Sequence, residues 1–472
     1  MASPTATLSG DFSATELRIL KRLERLPFGG PQIHLLLMGG LGYTFDGMDG
    51  ALIAFIMTPV MLVWGLTNAQ TGFLGSAGMC GYLFGAFTAG ALGDQIGRRK
   101  VMMYALFLYA AATMFAAFAP NWPFLFWSRV VAGVGTGAES AIVAPFLSEF
   151  VQKRIRGRFI ASLSGFFSFG FFFAAMLGYY VVRGSANGWR IAQVITAVPI
   201  VMLLWWRRWL PESPRWLMQH GRSEEAEQVV ERMEQSFIRK GRTLIPYDSV
   251  DMPASGAGQA GTFLQNLASL WGPGVARTTI MLWILWFSIT FAYYGFLTWI
   301  PTLLVKQGMT ITRSFGYSLI IYVAMIPGYY SAAFICDKLD RKWTIVLYLL
   351  LGGISAYFLA GARTGAMISL LGFWLSFFMN GTYSGIYAYT PELYPTAFRA
   401  TGMGVASSFG RIGGLSAPII IGFSFAHIGF FGVLMICGAV LVVGAAAVAI
   451  LGMRTAGRSL EQIALAEMGG KS

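Results

Sequence analysis

Gly90-Ala91-Leu92-Gly93-Asp94-Gln95-Ile96-Gly97-Arg98-Arg99 has a counterpart far down the same chain, Ala333-Phe334-Ile335-Cys336-Asp337-Lys338-Leu339-Asp340-Arg341-Lys342. Each closes an uncharged run with an acidic residue, and an arginine follows four positions later. Asp94 and Asp337 are 243 residues apart, as are Arg98 and Arg341. Two further loops repeat the relation, because Glu149 and Glu392, and likewise Arg156 and Arg399, differ by the same 243. A single offset shared by separate loops marks an internal duplication. The chain therefore reads as two halves of common origin.

The runs around these loops set the environment. Of 472 residues, 56% are hydrophobic and only 12% charged, whereas a soluble chain carries about 25% charged residues. So little charge cannot cover the surface of two or three water-soluble domains. Residues 50–93, 101–128, 159–182, 278–305, 314–336, 343–362 and 364–391 contain no Asp, Glu, Lys or Arg. A helix crosses a bilayer in roughly 20 apolar residues, and a barrel strand in about 9–11 alternating ones. These runs are long and do not alternate. They predict an all-α integral membrane protein with twelve transmembrane helices at about 33–63, 70–92, 100–119, 122–148, 158–182, 189–207, 276–303, 314–336, 343–362, 366–389, 400–424 and 429–452.

The expected organisation is a polar segment at 1–32, a six-helix bundle at 33–207, a linker at 208–275, a second bundle at 276–452 and a tail at 453–472. Residues 12–26 read as an amphipathic helix lying at the membrane surface. With both termini cytoplasmic, Arg183, Arg190, Lys306, Arg313 and Arg363 fall in outward loops and Arg129 and Arg411 within spans. That leaves 27 of the 34 basic residues on the cytoplasmic side. This asymmetry obeys the positive-inside rule and accounts for the net charge of +13 without a nucleic-acid partner. The expected location is a cytoplasmic (inner) membrane, and the expected state a monomer. The linker carries a charged helical segment at 223–240 and a Pro/Gly/Ser tract at 246–261. No nucleophile, metal or nucleotide motif is present, so neither an enzyme nor an ATP-driven pump is expected, and no cofactor. Cys80, Cys336 and Cys437 all lie in apolar runs and supply no disulfide framework.

The loop at 90–99 is similar to the signature of the major facilitator superfamily. Pro211-Glu212-Ser213-Pro214-Arg215-Trp216-Leu217 resembles the marker of its sugar-porter branch, and the run from Tyr389 to Gly402 resembles organic ion transporters and the synaptic-vesicle-protein-like group. Phe45-Asp46-Gly47-Met48-Asp49, Phe291-Ala292-Tyr293-Tyr294-Gly295 and Phe409-Gly410-Arg411-Ile412-Gly413-Gly414 resemble bacterial niacin permeases. Gln95 and Asp340 depart from the family, which usually has a basic residue and a glycine there. The resemblance implies two pseudo-symmetric bundles with a substrate site between them.

Charged loop ends can make ion pairs in one conformation and break them in another. Asp94, Arg98, Glu149 and Arg156, with Asp337, Arg341, Glu392 and Arg399, are therefore expected to latch a cytoplasmic gate in an outward-open state. Inside the spans the ionisable residues are few: Asp46, Asp49, Arg129, Glu139 and Arg411. Such residues are costly in a membrane and mark function. Asp46 and Asp49 share a helical face, and two carboxylates near Arg129 leave one prone to hold a proton, the chemistry of a coupling site. Glu139 joins this group or bonds the backbone of its glycine-rich helix. Arg411 has no acidic neighbour in the second half and suits a carboxylate ligand, as its place in organic anion transporters also implies.

Trp286, Thr290, Tyr293 and Tyr294 recur at helical spacing in span seven, as do Asn380, Tyr383 and Tyr387 in span ten. Phe166, Phe167, Phe169 and Phe171–Phe173 fill span five. A polyol would need many hydrogen-bonding groups, and these spans have one Asn and no Gln. A flat aromatic ring with one carboxylate fits Trp286, Tyr293, Tyr294, Asn380, Tyr383, Tyr387, Arg411 and Asp49 better. The leading expectation is a proton-coupled importer of a small aromatic monocarboxylate, nicotinate first. The alternatives are a benzoate- or shikimate-type acid permease, a sugar porter, an organic cation carrier paired with Asp46 or Asp49, and a transport-dead membrane sensor.

Overall fold

The computed structural model of the chain describes residues 14–247, 263–395 and 398–455. Every regular element among them is helical. The first half comprises α1 (Ala14–Glu24), α2 (Gly30–Trp64), α3 (Asn68–Ile96), α4 (Arg98–Ala117), α5 (Trp122–Ser148), α6 (Lys153–Tyr180), α7 (Gly188–Thr196) and α8 (Met202–Trp209). The connector holds α9 (Pro214–Gln219), α10 (Ser223–Ile238) and α11 (Phe263–Ser269). The second half comprises α12 (Val275–Lys306), α13 (Ile311–Val323), α14 (Met325–Leu339), α15 (Arg341–Ala360), α16 (Gly365–Leu393) and α17 (Arg399–Leu451).

Ten described segments are long and apolar enough to cross a membrane. One of them contains two crossings, because α17 turns at Gly429, whose φ of 59° only glycine adopts freely. The twelfth crossing is α3. Its apolarity is diluted by glycines that let it pack closely: a Cβ at Gly81 or Gly85 would strike the carbonyls of Val130 or Val134 on α5. Spans six and eight are each divided in two. Pro199 opens a short 3-10 turn between α7 and α8, and Pro327 lies in the first turn of α14, just after α13 ends. A proline there removes a backbone donor from the helical ladder.

The duplication is visible in the backbone. Gly97 separates α3 from α4 at φ 101°, ψ 144°, and Asp340 separates α14 from α15 at φ 83°, ψ 146°. The two are 243 residues apart, and Asp340 is the sole non-glycine with positive φ among the described residues. Its carboxylate accepts from the Lys342 amide at 3.2 Å, local compensation for a conformation that costs a non-glycine about 1–3 kcal/mol.

Two apolar cores organise the molecule. One joins both halves, running from Met48–Val60 on α2 to α12, α13, α16 and α17. The other lies at the opposite end of the first half and gathers α1, α9, α10 and the adjoining ends of α2, α4 and α5. This second core corrects the expectation for the N-terminal helix. Ile19, Leu20, Leu23 and Leu26 are buried against protein and not laid on lipid. Helix α10 offers a matching stripe of Ala226, Val229, Val230, Met233 and Phe237. Glu227 and Glu234 then meet Arg18, Arg22 and Arg25.

Candidate substrate cavity

A cavity of about 440 Å³ lies between the halves. Its lining extends to Ala144 and Met403, near the ends of α5 and α17 that adjoin the connector. In the other direction it stops at Ile53, Gly75 and Thr298, at least seven residues short of the helix ends. There the halves meet in a seam. Thr58 and Thr302 hydroxyls are 2.9 Å apart, Ser76 donates to the Leu415 carbonyl at 2.7 Å, and Lys306 donates to Asn68. Gly72 lies against the Pro418 carbonyl and Gly422, an approach that a side chain would prevent.

The second-half wall is aromatic. Trp286, Tyr293, Tyr294, Asn380, Tyr383, Tyr387 and Arg411 all line the cavity, so the structure brings together all of the second-half residues expected at the site. Tyr293 and Tyr383 meet edge to face at 5.1 Å, and Trp286 and Tyr387 at 5.2 Å. Several polar handles are already spent within the wall. The Trp286 ring N–H donates to Thr390 at 3.1 Å and the Tyr383 hydroxyl to Thr290 at 2.9 Å. The Asn380 amide donates to the Ser376 carbonyl at 3.0 Å. Arg411 is different. Its guanidinium carbon lies 3.9 Å from the ring centroid of Tyr82, across from the other half. Among the described residues it has neither an ion pair nor a hydrogen bond, and it lines the cavity.

On the first-half wall the charges separate. Arg129 binds both carboxylate oxygens of Asp49, at 2.6 and 2.8 Å, and also the Asp49 carbonyl at 3.0 Å. The Thr113 hydroxyl completes this set at 3.2 Å. Asp46, one turn away, accepts among the described residues only from Ser140, at 3.4 Å. Glu139 is fully buried behind the wall, with no hydrogen-bond partner for either carboxyl oxygen among the described residues. Its glycine-rich helix therefore does not satisfy it.

The loop clusters form within each half. Arg98 pairs with Glu149, and Arg341 with Glu392 at 3.3 Å, two ion pairs related by the 243-residue offset. Asp94 is exposed and lies 3.8 Å from Arg98. Arg156 meets Glu24 of α1 at 3.5 Å and not Glu149. Arg399 donates to the Tyr394 carbonyl at 3.1 Å, and the side chain of Asp337 lies outside the described residues. The motif at 211–217 is a working part of the first cluster. Ser213 donates to Glu149, Glu212 accepts from the Arg99 amide at 3.1 Å, and Trp216 donates to the Asp94 carbonyl at 2.9 Å.

Sequence reasoning missed Tyr82, Met79, Tyr43, Tyr329, Ser164 and Ser168 in the lining. Tyr82 has no aromatic residue three, four or seven positions away, so helical spacing gives it no companion. Glu24, Glu212 and Ser213 were legible as charges or as a marker but not as partners.

The chain belongs to the sugar (and other) transporter family, whose profile matches residues 40–466. It is a multi-pass secondary transporter of the major facilitator type and not an enzyme. It is 40% identical to the niacin transporter NiaP of Acinetobacter baylyi, over 95% of this chain and all of that one. Against organic cation/carnitine transporter 7 of Arabidopsis thaliana it is 28% identical, over 86% and 88% of the two chains. Its fold is shared with the xylose transporter XylE from E. coli in a partially occluded inward-open conformation, with a TM-score of 0.73, 17% identity, and coverage of 91% and 99%.

Proposed function

We propose that this transporter imports a small aromatic monocarboxylate, nicotinate first, together with a proton and by alternating access. The observation that carries the reading is Arg411, a guanidinium braced on Tyr82 in the lining of an aromatic cavity. A carboxylate would take its donors bidentately, while Trp286, Tyr293 and Tyr387 offer faces and edges to a flat ring. The likeness to a niacin transporter supports the same ligand. A sugar fits less well, since the Asn380 amide is already bonded within its own helix. For an organic cation, Asp49 is already matched by Arg129, which leaves Asp46 as the cavity-lining carboxylate it would have to pair with. The connector end, where α1 and α10 bring their charges together, is read as cytoplasmic in an inner membrane. In that orientation the cavity faces inward.

The test is uptake of labelled nicotinate into proteoliposomes, with and without an inward proton gradient. Benzoate is expected to compete, nicotinamide weakly and glucose not at all. Arg411→Ala removes one partner of a desolvated charge pair, a loss of roughly 2–5 kcal/mol. The apparent affinity for nicotinate is therefore expected to fall by at least about 30-fold, with normal elution of the folded protein. Wild-type uptake by this variant would overturn the carboxylate assignment.

A further inference from the structure

Among the described residues the first-half wall holds three carboxylates but one guanidinium, and both terminal nitrogens of that guanidinium are taken by Asp49. Among the described residues Asp46 and Glu139 are left without a cation. Asp46 is 4% exposed and its Oδ1 has no partner among them; Glu139 is 0% exposed and neither oxygen has one. The two groups belong together. The Glu139 carboxyl lies against Gly42, where a Cβ would collide with Oε1. Asp46 is one helical turn, about 5.4 Å, further along that face. The hydroxyl that reaches Asp46 belongs to Ser140, the residue next to Glu139. Asp46 lines the cavity and Glu139 does not.

Among the described residues the surroundings offer the pair no second cation. Beyond Asp49 and Arg129, the ionisable groups facing it are Tyr43 on α2, Tyr82 on α3, Tyr109 on α4 and Tyr387 on α16. Helices α6 and α8 contribute Phe166, Phe167 and Trp206, packed on Gly40, Gly47 and Gly42. An unpaired ionised carboxylate in such a wall costs several kcal/mol, and two adjacent ones also repel. The geometry points to Asp46 and Glu139 as the proton-carrying pair of the transport cycle, beside the Asp49–Arg129 ion pair. Asp46 takes a proton from hydronium in the cavity, leaving water, and the proton is shared with Glu139, out of reach of the substrate. No other bond is made or broken. Release to the opposite side returns the pair to its starting protonation.

This inference rests on the proton-coupled reading above, and the experiment separates the two. Wild type and Glu139→Gln are compared in proteoliposomes for labelled nicotinate accumulation under a one-unit pH gradient and for exchange without a gradient. One proton per substrate permits about tenfold accumulation in wild type. Glu139→Gln is expected to keep exchange while accumulation falls to equilibration, and Glu139→Asp to restore accumulation. In detergent, a pH indicator is expected to report proton uptake on nicotinate binding by wild type and none by Glu139→Gln. Should Glu139→Gln fail to fold, Asp46→Asn is expected to abolish the same proton uptake. Accumulation by Glu139→Gln equal to wild type overturns the pair, as does parallel loss of exchange and accumulation in a folded variant. A wild type indifferent to the gradient overturns the coupled reading itself.

Discussion

Asp46 and Asp49 are three residues apart on one helix, yet their partners divide them. Spacing alone shows a shared face, which is why the sequence presents them as equivalent. What separates them is tertiary: Arg129 and Thr113 converge on Asp49, whereas Asp46 finds only Ser140 among the described residues. Removing one member of a buried pair strands the other charge and costs about 3–5 kcal/mol, while replacing both with apolar groups is often neutral. Asp49→Asn is accordingly expected to lower the thermal unfolding midpoint in detergent markedly. The double variant Asp49→Leu/Arg129→Met is expected to recover much of that loss. Equal midpoints for wild type and Asp49→Asn would show the pair to be dispensable. The Arg411 environment illustrates the same limit. Its lack of an acidic neighbour was legible from the second half alone, but Tyr82 comes from the other half, and no local pattern connects them.

At the scale of elements, α1 shows what amphipathicity leaves open. Its apolar stripe says that one face is covered and does not say by what; the choice of α10 over lipid depends on complementary charge. Glu234 accepts from Arg22 at 2.7 and 3.1 Å and from Arg25 at 2.6 and 3.0 Å. Burial alone would raise this carboxyl, but the bonds from Arg22 and Arg25 outweigh it and hold it below the usual carboxylate range. A depressed folded value means that the docking stability is fully present above the unfolded value, near 4.3, and is lost as pH falls through the folded one. Hydrogen exchange across 14–24 is therefore expected to be slow at pH 7, after correction for intrinsic rates, and to lose protection below about pH 4. Glu234→Gln should weaken docking by on the order of 2 kcal/mol at pH 7; unchanged protection would count against charge as the determinant. The breaks in spans six and eight were more accessible to sequence reading, since Pro199 and Pro327 mark them. A hydropathy pattern overrides such signals only because it does not register backbone donors.

For the whole molecule, the 243-residue offset was the most informative feature of the sequence, and the structure shows what it preserves. It conserves the turn conformation at Gly97 and Asp340 and the ion pairs Arg98–Glu149 and Arg341–Glu392, all within halves. Each half is thus braced as a unit. The contacts that must change in alternating access are those between halves, and at the end away from the connector the polar ones are identifiable. Opening there has to part Thr58 from Thr302, lift Lys306 off Asn68 and separate Gly72 from Pro418. Hydroxyls 2.9 Å apart place their side chains within reach of a disulfide once both are cysteine. Thr58→Cys/Thr302→Cys, in a chain with Cys80→Ser, is therefore expected to cross-link on mild oxidation. Nicotinate uptake should stop and return with a reductant, because the bond holds the seam shut. Cross-linked protein that transports at the wild-type rate would mean that this seam does not open during the cycle.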